Sequence, residues 1–157
     1  MTKSKPNFHG INLNSITQSA EHLSAHILPI STIFAPSLSN LLGASAYLKL
    51  ENLQYTSSFK SRGDIIALKA LRDENKKVGV ISMSASNHAQ ALALRSQQEN
   101  IKSTIIMPEQ TPFAKISKTK AYGAEVVLTR RTLDEANKKS TNSLILIDIV
   151  SFIHMMI

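Results

Sequence analysis

Two segments of the chain combine residue types that could bind a small anionic molecule and act on it. The first, residues 50–63 (LENLQYTSSFKSRG), places Lys60 where an extended segment turns into a helix. A lysine there faces the positive end of the helix dipole. This field lowers the cost of forming the neutral amine that attacks a carbonyl carbon. A solvated lysine is the ordinary alternative, so position alone does not establish a site.

The second segment, residues 82–90 (SMSASNHAQ), also leads from a strand into a helix. Small hydroxyl and amide residues beside free N–H groups at a helix start suit a carboxylate or a phosphate. Ordinary N-capping by Ser84, Ser86 or Asn87 would explain the same residues without any ligand. Both explanations remain open from these residues alone.

The elements around these segments alternate between short apolar strands and amphipathic helices. Such alternation predicts βαβ crossovers, a parallel sheet and an α/β fold. In such sheets ligands bind at the carboxyl ends of the strands, where both segments would lie. The predicted strands are residues 46–50, 78–83, 103–108 and 124–129, and the predicted helices are 14–27 (capped by Asn14 or Ser15), 38–42, 61–74, 88–98, 111–122 and 132–139.

Composition narrows the class of function. The net charge of +7 comes from 18 basic residues interleaved with 11 acidic ones, and the chain has no tryptophan, so no nucleic-acid surface is expected. The absence of cysteine excludes disulfides and zinc–thiolate sites and is consistent with a reducing compartment. The first residues lack the apolar stretch of a secretory signal, and a cytoplasmic location is expected.

His22 and His26 have the i,i+4 spacing of a metal pair but no third ligand, so no metal site is expected.

Residues 144–157 (LILIDIVSFIHMMI) are nearly all apolar. The run is shorter than the roughly 20 residues that span a bilayer. It also contains Asp148, which is costly inside a membrane. We therefore expect a buried strand or an abnormal terminus rather than a membrane segment.

Three motifs in this order resemble one enzyme family. Residues 48–63 are similar to the cofactor-lysine segment of pyridoxal-phosphate (PLP) threonine ammonia-lyases, also called threonine dehydratases, and of serine racemase. Residues 84–90 (SASNHAQ) resemble their substrate-carboxylate loop, and residues 107–128 match a third stretch of the family. The Asn-His-Ala-Gln run differs from the cysteine synthases, in which threonine and glycine normally follow the asparagine. The resemblance covers about residues 14–136 and is specific because three separate motifs agree.

The resemblance implies a role for individual residues. Lys60 would form the Schiff base with PLP and later transfer the proton of the substrate α-carbon. Phe59 would pack near the cofactor ring, and Asn87 would bond its 3′-oxygen. The implied reaction eliminates the β-hydroxyl of L-threonine or L-serine, and hydrolysis of the aminoacrylate-type product then gives a 2-oxo acid and ammonia. The residues implied around the substrate carboxylate are Ser84, Ala85, Ser86 and His88.

The resemblance also implies an architecture. It is the small domain of the type II PLP fold (the tryptophan synthase β type) with an arm of the large domain. Residues 1–60 would form the arm and lysine loop, 61–140 the small α/β domain, and 141–157 an aberrant apolar terminus. The family suggests a homo-oligomer and a role in amino-acid metabolism such as isoleucine biosynthesis.

Several positions depart from the family pattern. The family usually has glycine where this chain has Ser57 and Ser86, and often at Ala91. A side chain at such a turn costs roughly 1–2 kcal/mol if φ is positive. Asp64 replaces the usual alanine and puts an anion in the first turn of a helix, which the helix dipole tolerates.

The family's glycine-rich phosphate loop has no counterpart in this sequence. The five glycines stand singly, at positions 10, 43, 63, 79 and 123. We therefore expect a fragment with little turnover of its own, produced by a frameshift or completed by a second chain that carries the C-terminal half. The alternative is a non-catalytic remnant or interaction module that keeps the fold.

Overall fold

The computed structural model describes residues 12–130 and the backbone of residues 145–146. In this part of the chain, helices and strands alternate around one parallel sheet, and a smaller antiparallel pair of strands precedes it. The helices are α1 (Leu13–Ser24), α2 (Pro36–Leu42), α3 (Lys60–Ala70), α4 (Asp73–Val78), α5 (Asn87–Gln98) and α6 (Phe113–Ala121), and the strands are β1 (Thr32–Phe34), β2 (Tyr47–Lys49), β3 (Val80–Met83), β4 (Ser103–Pro108), β5 (Glu125–Thr129) and β6 (Ile145–Leu146).

The parallel sheet has the strand order β5-β4-β3-β6. Val80 of β3 pairs with Ser103 of β4, and Thr104 pairs with Glu125 of β5. The helix α5 connects β3 to β4, and α6 connects β4 to β5. The central strands β3 and β4 are almost wholly buried, as strands of a sheet covered on both faces must be. The predicted α/β fold with parallel βαβ crossovers is confirmed.

The core lies between this sheet and the helices α3 and α5. Leu68 of α3 and Leu92 of α5 have no exposed surface, and neither does Ile105 of β4. Ala89 and Ala93 are also fully buried, and their small side chains let α5 lie close against its neighbours. Because α3 and α5 pack in the same core, the first residues of these helices, Lys60 and Asn87, are held in place relative to each other.

The antiparallel pair β1–β2 was not predicted as a pair. Thr32 pairs with Lys49, and Phe34 pairs with Tyr47. The rings of Phe34 and Tyr47 have their centroids 5.4 Å apart. All six residues of the two strands are exposed, and α2 between them buries no residue.

Several element boundaries differ from those predicted, and three of these differences have a local structural cause. The cap of α1 is Asn12, reciprocally hydrogen-bonded with Ser15, and not Asn14 or Ser15 acting as cap. The single helix predicted over 61–74 is two helices, because Leu71 and Arg72 have extended backbones with ψ of 138° and 151°. Gly79, with φ of 102°, ends α4 and delays the strand predicted from residue 78 until Val80.

Some predictions concern residues outside the described part of the chain. The helix predicted at 132–139 and most of the segment 141–157 are among them. Only Ile145 and Leu146 of that segment are described, and they pair in parallel with Val80 and Ile81 of β3. Over the described ranges, no helix has the length and apolar character required to cross a membrane.

Candidate functional site

The loop before Lys60 is held by side-chain bonds at several points. The guanidinium of Arg62 contacts Oε1 of Glu51 through two nitrogens, at 2.6 and 3.1 Å. Thr56 Oγ1 lies 2.8 Å from Ser61 Oγ, and Thr56 is 1% exposed. Gln54 is also buried and bonds another part of the arm. These bonds fix the conformation of the loop and therefore the position of Lys60.

Lys60 is the first residue of α3 and is half-buried. Its Nζ lies 5.1 Å from the centroid of the Phe59 ring, a cation–π contact. Among the residues that the structure describes, no carboxylate forms an ion pair with this ammonium.

The hydroxyl of Ser58, two residues before Lys60, is a buried polar group without a protein partner. Ser58 is 6% exposed, and its Oγ has no hydrogen-bond partner among the described residues. An unsatisfied buried hydroxyl costs about 1–3 kcal/mol. Such a group next to a poised lysine is consistent with a polar ligand at this loop. Ser58 could not be singled out from the sequence, since a serine in a turn usually bonds nearby backbone.

The second loop runs from the end of β3 to the start of α5. The amide of Ser84 donates to the carbonyl of Ile106 at 3.1 Å, so the loop begins as a continuation of the sheet. Ser86 is the N-cap residue of α5, but its side chain makes no capping bond. Asn87, the first helical residue, is exposed. Of the ligand-free explanations of this motif, capping by Ser86 is therefore excluded, whereas Ser84 Oγ does accept from the amide of Ser86 at 3.3 Å.

The two loops meet through a buried acid–base pair. Asp64, one turn after Lys60, is 0% exposed, and its Oδ1 lies 2.8 Å from Nδ1 of His88. Burial raises the pKa of the Asp64 carboxyl, and the hydrogen bond and charge of His88 and the charge of Lys60 oppose that rise. Since His88 follows Asn87, this contact sets the start of α5 beside the start of α3.

This pair changes the picture of His88 obtained from the sequence. The resemblance implied that His88 lies around a substrate carboxylate, whereas its side chain is 11% exposed and Nδ1 faces Asp64. The role of His88 towards a substrate stays a prediction. Asp64 was treated as a tolerable anion at a helix start, and the buried partner on α5 was missed. The acid at position 64, where the family usually has alanine, was the signal in the sequence that could have indicated a contact with His88.

The two serines that replace glycines differ in backbone conformation. Ser57 has φ of 56°, in the left-handed region that favours glycine. Ser86 has φ of −132° and ψ of −157°, an extended conformation open to any residue. The condition for strain, a positive φ, is therefore met at Ser57 and not at Ser86.

The structure therefore gathers the predicted site residues at the start of α3 and of α5. Phe59 is 59% exposed and Asn87 is exposed, while Ser84 and Ala85 are half-buried. Ser84 and Ala85 directly follow the carboxyl end of β3, the position where ligands bind in α/β folds. The residues can present an amine, an amide and backbone N–H groups to one small molecule.

His22 lies in α1, and His26 follows the end of this helix. The rings of His22 and His26 are in edge contact with centroids 5.0 Å apart. Burial lowers the pKa of His22, and the charges of Lys69, His26 and Arg95 add to this effect. Within residues 12–130, no cluster of three or more potential metal ligands occurs.

Comparison with known proteins connects this geometry to one family. A family model described as pyridoxal-phosphate dependent enzyme matches residues 23–146. An L-threonine ammonia-lyase of Thermotoga maritima is 40% identical over 126 residues. The catabolic L-threonine dehydratase TdcB of Staphylococcus aureus is 41% identical over 128 residues. The serine racemase of Dictyostelium discoideum superposes with a TM-score of 0.79 at 32% identity.

These relatives are considerably longer than the present chain. The matched region is 80% of this chain but 31% of the Thermotoga protein, and 81% of this chain but 37% of the Staphylococcus protein. The superposition covers 89% of this chain and 47% of the serine racemase. The chain thus spans about a third of the length of the curated relatives it matches.

Proposed function

The chain belongs to the family of pyridoxal-phosphate-dependent enzymes, and from this we propose that it supplies the cofactor-lysine half of a threonine (or serine) ammonia-lyase site. The reaction converts L-threonine to 2-oxobutanoate and ammonia. The observation that carries the proposal is the placement of Lys60. It begins α3 without an acidic partner among the described residues, on a loop held by Arg62 and Glu51.

The residues present fit one side of the cofactor. The Ser58 hydroxyl has no hydrogen-bond partner among the described residues, and the Lys60 amine forms no ion pair with them. These are the groups that a bound aldehyde-bearing ligand would engage. Asn87 at the start of α5 would bond an oxygen of the ring, and Phe59 would cover the ring and exclude water. No glycine-rich loop for the phosphate occurs in the sequence. We propose that residues outside this sequence supply that loop.

When bound, PLP withdraws electrons from the α-carbon of the amino acid and so makes its proton acidic. In the proposed mechanism, Lys60 holds the cofactor at rest and later accepts that proton at Nζ. Ser84, Ala85 and Ser86 would lie around the substrate carboxylate, and the backbone N–H of Ala85 would donate to it, because the loop leads into the N-terminus of α5. The amides of Ser84 and Ser86 donate to the carbonyl of Ile106 and to Ser84 Oγ. The proton held at Nζ of Lys60 would pass to the departing β-hydroxyl, which leaves as water, and hydrolysis of the remaining enamine would give 2-oxobutanoate and ammonia.

Part of the mechanism depends on residues outside this sequence. Without a phosphate loop the chain alone would hold PLP weakly, and we expect little deamination by it. A second chain carrying the remaining half of the fold would complete the site. One relative is named as catabolic, and we propose no choice between a catabolic and a biosynthetic role.

Covalent capture tests this proposal directly. The purified chain is incubated with PLP, reduced with sodium borohydride and digested, and the modified lysine is identified by mass spectrometry. We expect the adduct on Lys60, and loss of at least about 90% of it in Lys60→Ala, because the proposed site contains one reactive amine. Lys69→Ala is the matched control, since Lys69 is exposed in the last turn of the same helix.

Two outcomes would contradict the proposal. An adduct of Lys60→Ala mapped to another lysine would show that reaction with PLP is unspecific. A chain that captures no PLP at any concentration would be the non-catalytic remnant or interaction module that keeps the fold.

A further inference from the structure

The buried contact between α3 and α5 has no role in the mechanism above. Asp64 is 0% exposed and the side chain of His88 is 11% exposed, and their nearest atoms lie 2.8 Å apart. A buried carboxyl group is expensive unless it is paired or protonated. An acid at this position, where the family usually has alanine, therefore calls for an explanation from its contacts.

The position of the pair suggests that explanation. Asp64 lies one helical turn after Lys60, and His88 directly follows Asn87. The contact therefore joins the two helix starts that the proposed site requires. The charged groups that act on Asp64 are His88 from α5 and Lys60 from its own helix.

We propose that Asp64 is a positioning residue, which accepts the Nδ1–H of His88 and thereby holds the start of α5 in register with Lys60. The inference rests on the proposed function for its role at the site. An acceptor at Nδ1 fixes the tautomer and the orientation of the imidazole ring. The position of the ring in turn fixes the first turn of α5, which carries Asn87, and the loop of residues 84–86 that leads into it.

A carboxylate does this in two separable ways. Its oxygen accepts the hydrogen bond, and its charge favours the protonated imidazole. Asparagine at position 64 keeps a carbonyl oxygen of the same shape but has no charge. Alanine, which the family resemblance gives at this position, removes both. Because that resemblance makes alanine compatible with the fold, Asp64→Ala is expected to fold even if Asp64→Asn does not.

The first measurement follows the ¹⁵N resonances of the His88 ring in the full chain from pH 4 to 9. His88→Gln identifies these resonances among those of the five histidines. In Asp64→Asn we expect the titration midpoint to fall by about 1 pH unit or more, while the proton stays on Nδ1. In Asp64→Ala the midpoint falls as well, and the tautomer preference changes. Asp73→Asn, an exposed acid on α4, should change neither.

The second measurement is PLP capture at Lys60 by the same variants. We expect Asp64→Ala to reduce the apparent affinity by about 10-fold, as the loss of an orienting partner does at other sites. Asp64→Asn should retain most of it, because the hydrogen bond survives. Asp73→Asn should match the unaltered chain.

The two measurements separate the possible failures. An unchanged midpoint and tautomer of His88 in both Asp64 variants would overturn the inference, whatever the PLP result. Altered His88 spectra with full PLP capture by Asp64→Ala would reduce the pair to a packing contact and would also overturn it. If the unaltered chain captures no PLP, the proposed function fails, while the His88 spectra still decide whether Asp64 orients the ring.

Discussion

Ser57 has the only positive φ among the non-glycine residues of the lysine loop, at 56°. Its amide donates to the carbonyl of Gln54 at 2.7 Å, so the turn is closed tightly. A side chain in this region costs roughly 1–2 kcal/mol relative to glycine. We predict that Ser57→Gly raises the free energy of unfolding by about 1 kcal/mol, because the relief of strain exceeds the greater entropy that glycine gives the unfolded chain. Urea denaturation measures this change.

Ser86→Gly is the matched control for that prediction. Both serines stand where the family usually has glycine, but Ser86 is extended. Glycine at Ser86 relieves no strain and is expected to lower stability by up to about 1 kcal/mol. Equal effects of the two substitutions would mean that the backbone at residue 57 is not strained.

The predictability of the site varies among these same residues. Lys60 and Asn87 could be placed from the sequence, because a motif fixes the chemistry of a residue and a strand-to-helix turn fixes its location. The conformations of Ser57 and Ser86 could not be distinguished, since both replace glycine and φ is set by the surrounding turn. The Asp64–His88 contact could not be predicted either, because it depends on the packing of two helices that are separate in sequence.

At the scale of the elements, Gln54 connects the lysine loop to the arm. Its Oε1 accepts from the amide of Leu28 at 3.1 Å, and its Nε2 donates to the carbonyl of the same residue at 2.9 Å. The Gln54 side chain thus bonds both backbone groups of Leu28, as a neighbouring strand would. Gln54 is 4% exposed, so water cannot easily take over these bonds.

We predict that Gln54→Ala lowers the free energy of unfolding by about 2 kcal/mol, because two backbone groups lose their partner in a buried place. The amide of Leu28 should also exchange its hydrogen faster with solvent. Gln18→Ala on the exposed face of α1 is the control and should stay within about 0.5 kcal/mol. An equal, small effect of both substitutions would show that the arm is held by other contacts.

The elements of the parallel sheet were the easiest to predict. The strand β4 was predicted at its observed residues, since a buried strand between two helices is apolar throughout. The break between α3 and α4 was missed because residues 61–74 keep a helical pattern of apolar positions. Asp73 and Glu74 at the start of α4 and Gly79 at its end are the signals that mark it as a separate helix. The strand β1 has only three residues and depends on its pairing with β2.

At the scale of the whole molecule, burial is concentrated in one part of the described chain. The sheet strands β3 and β4 and the helix α5 contribute most of the core. The arm contributes little, since Leu23 is the only buried residue of α1 and α2 has none. Large apolar side chains of the arm are exposed, among them Leu13 at 79%, Leu41 at 82% and Tyr47 at 63%.

The arm also forms one side of an open groove of about 640 Å³, lined largely by apolar residues of α1 and by Leu28, Pro29 and Ile30. Burial of apolar surface is worth about 25 cal/mol per Å². Several hundred Å² left uncovered would therefore forfeit on the order of 10 kcal/mol, as much as the stability of a typical domain. The arm has the surface of an element that packs against further protein.

We therefore predict a gradient of hydrogen exchange in the purified, monodisperse chain. The amides of β3, β4 and α5 should exchange slowest, because they open only when the core opens. Those of α2, β1 and β2 should exchange at least about 100-fold faster, since few buried contacts hold these elements in place. Repeating the measurement at two protein concentrations is the control. Protection of the arm that falls on dilution would mean that a second copy covers it. Protection of the arm equal to that of β4 and independent of concentration would contradict the prediction, because the arm would then be stable without any covering partner.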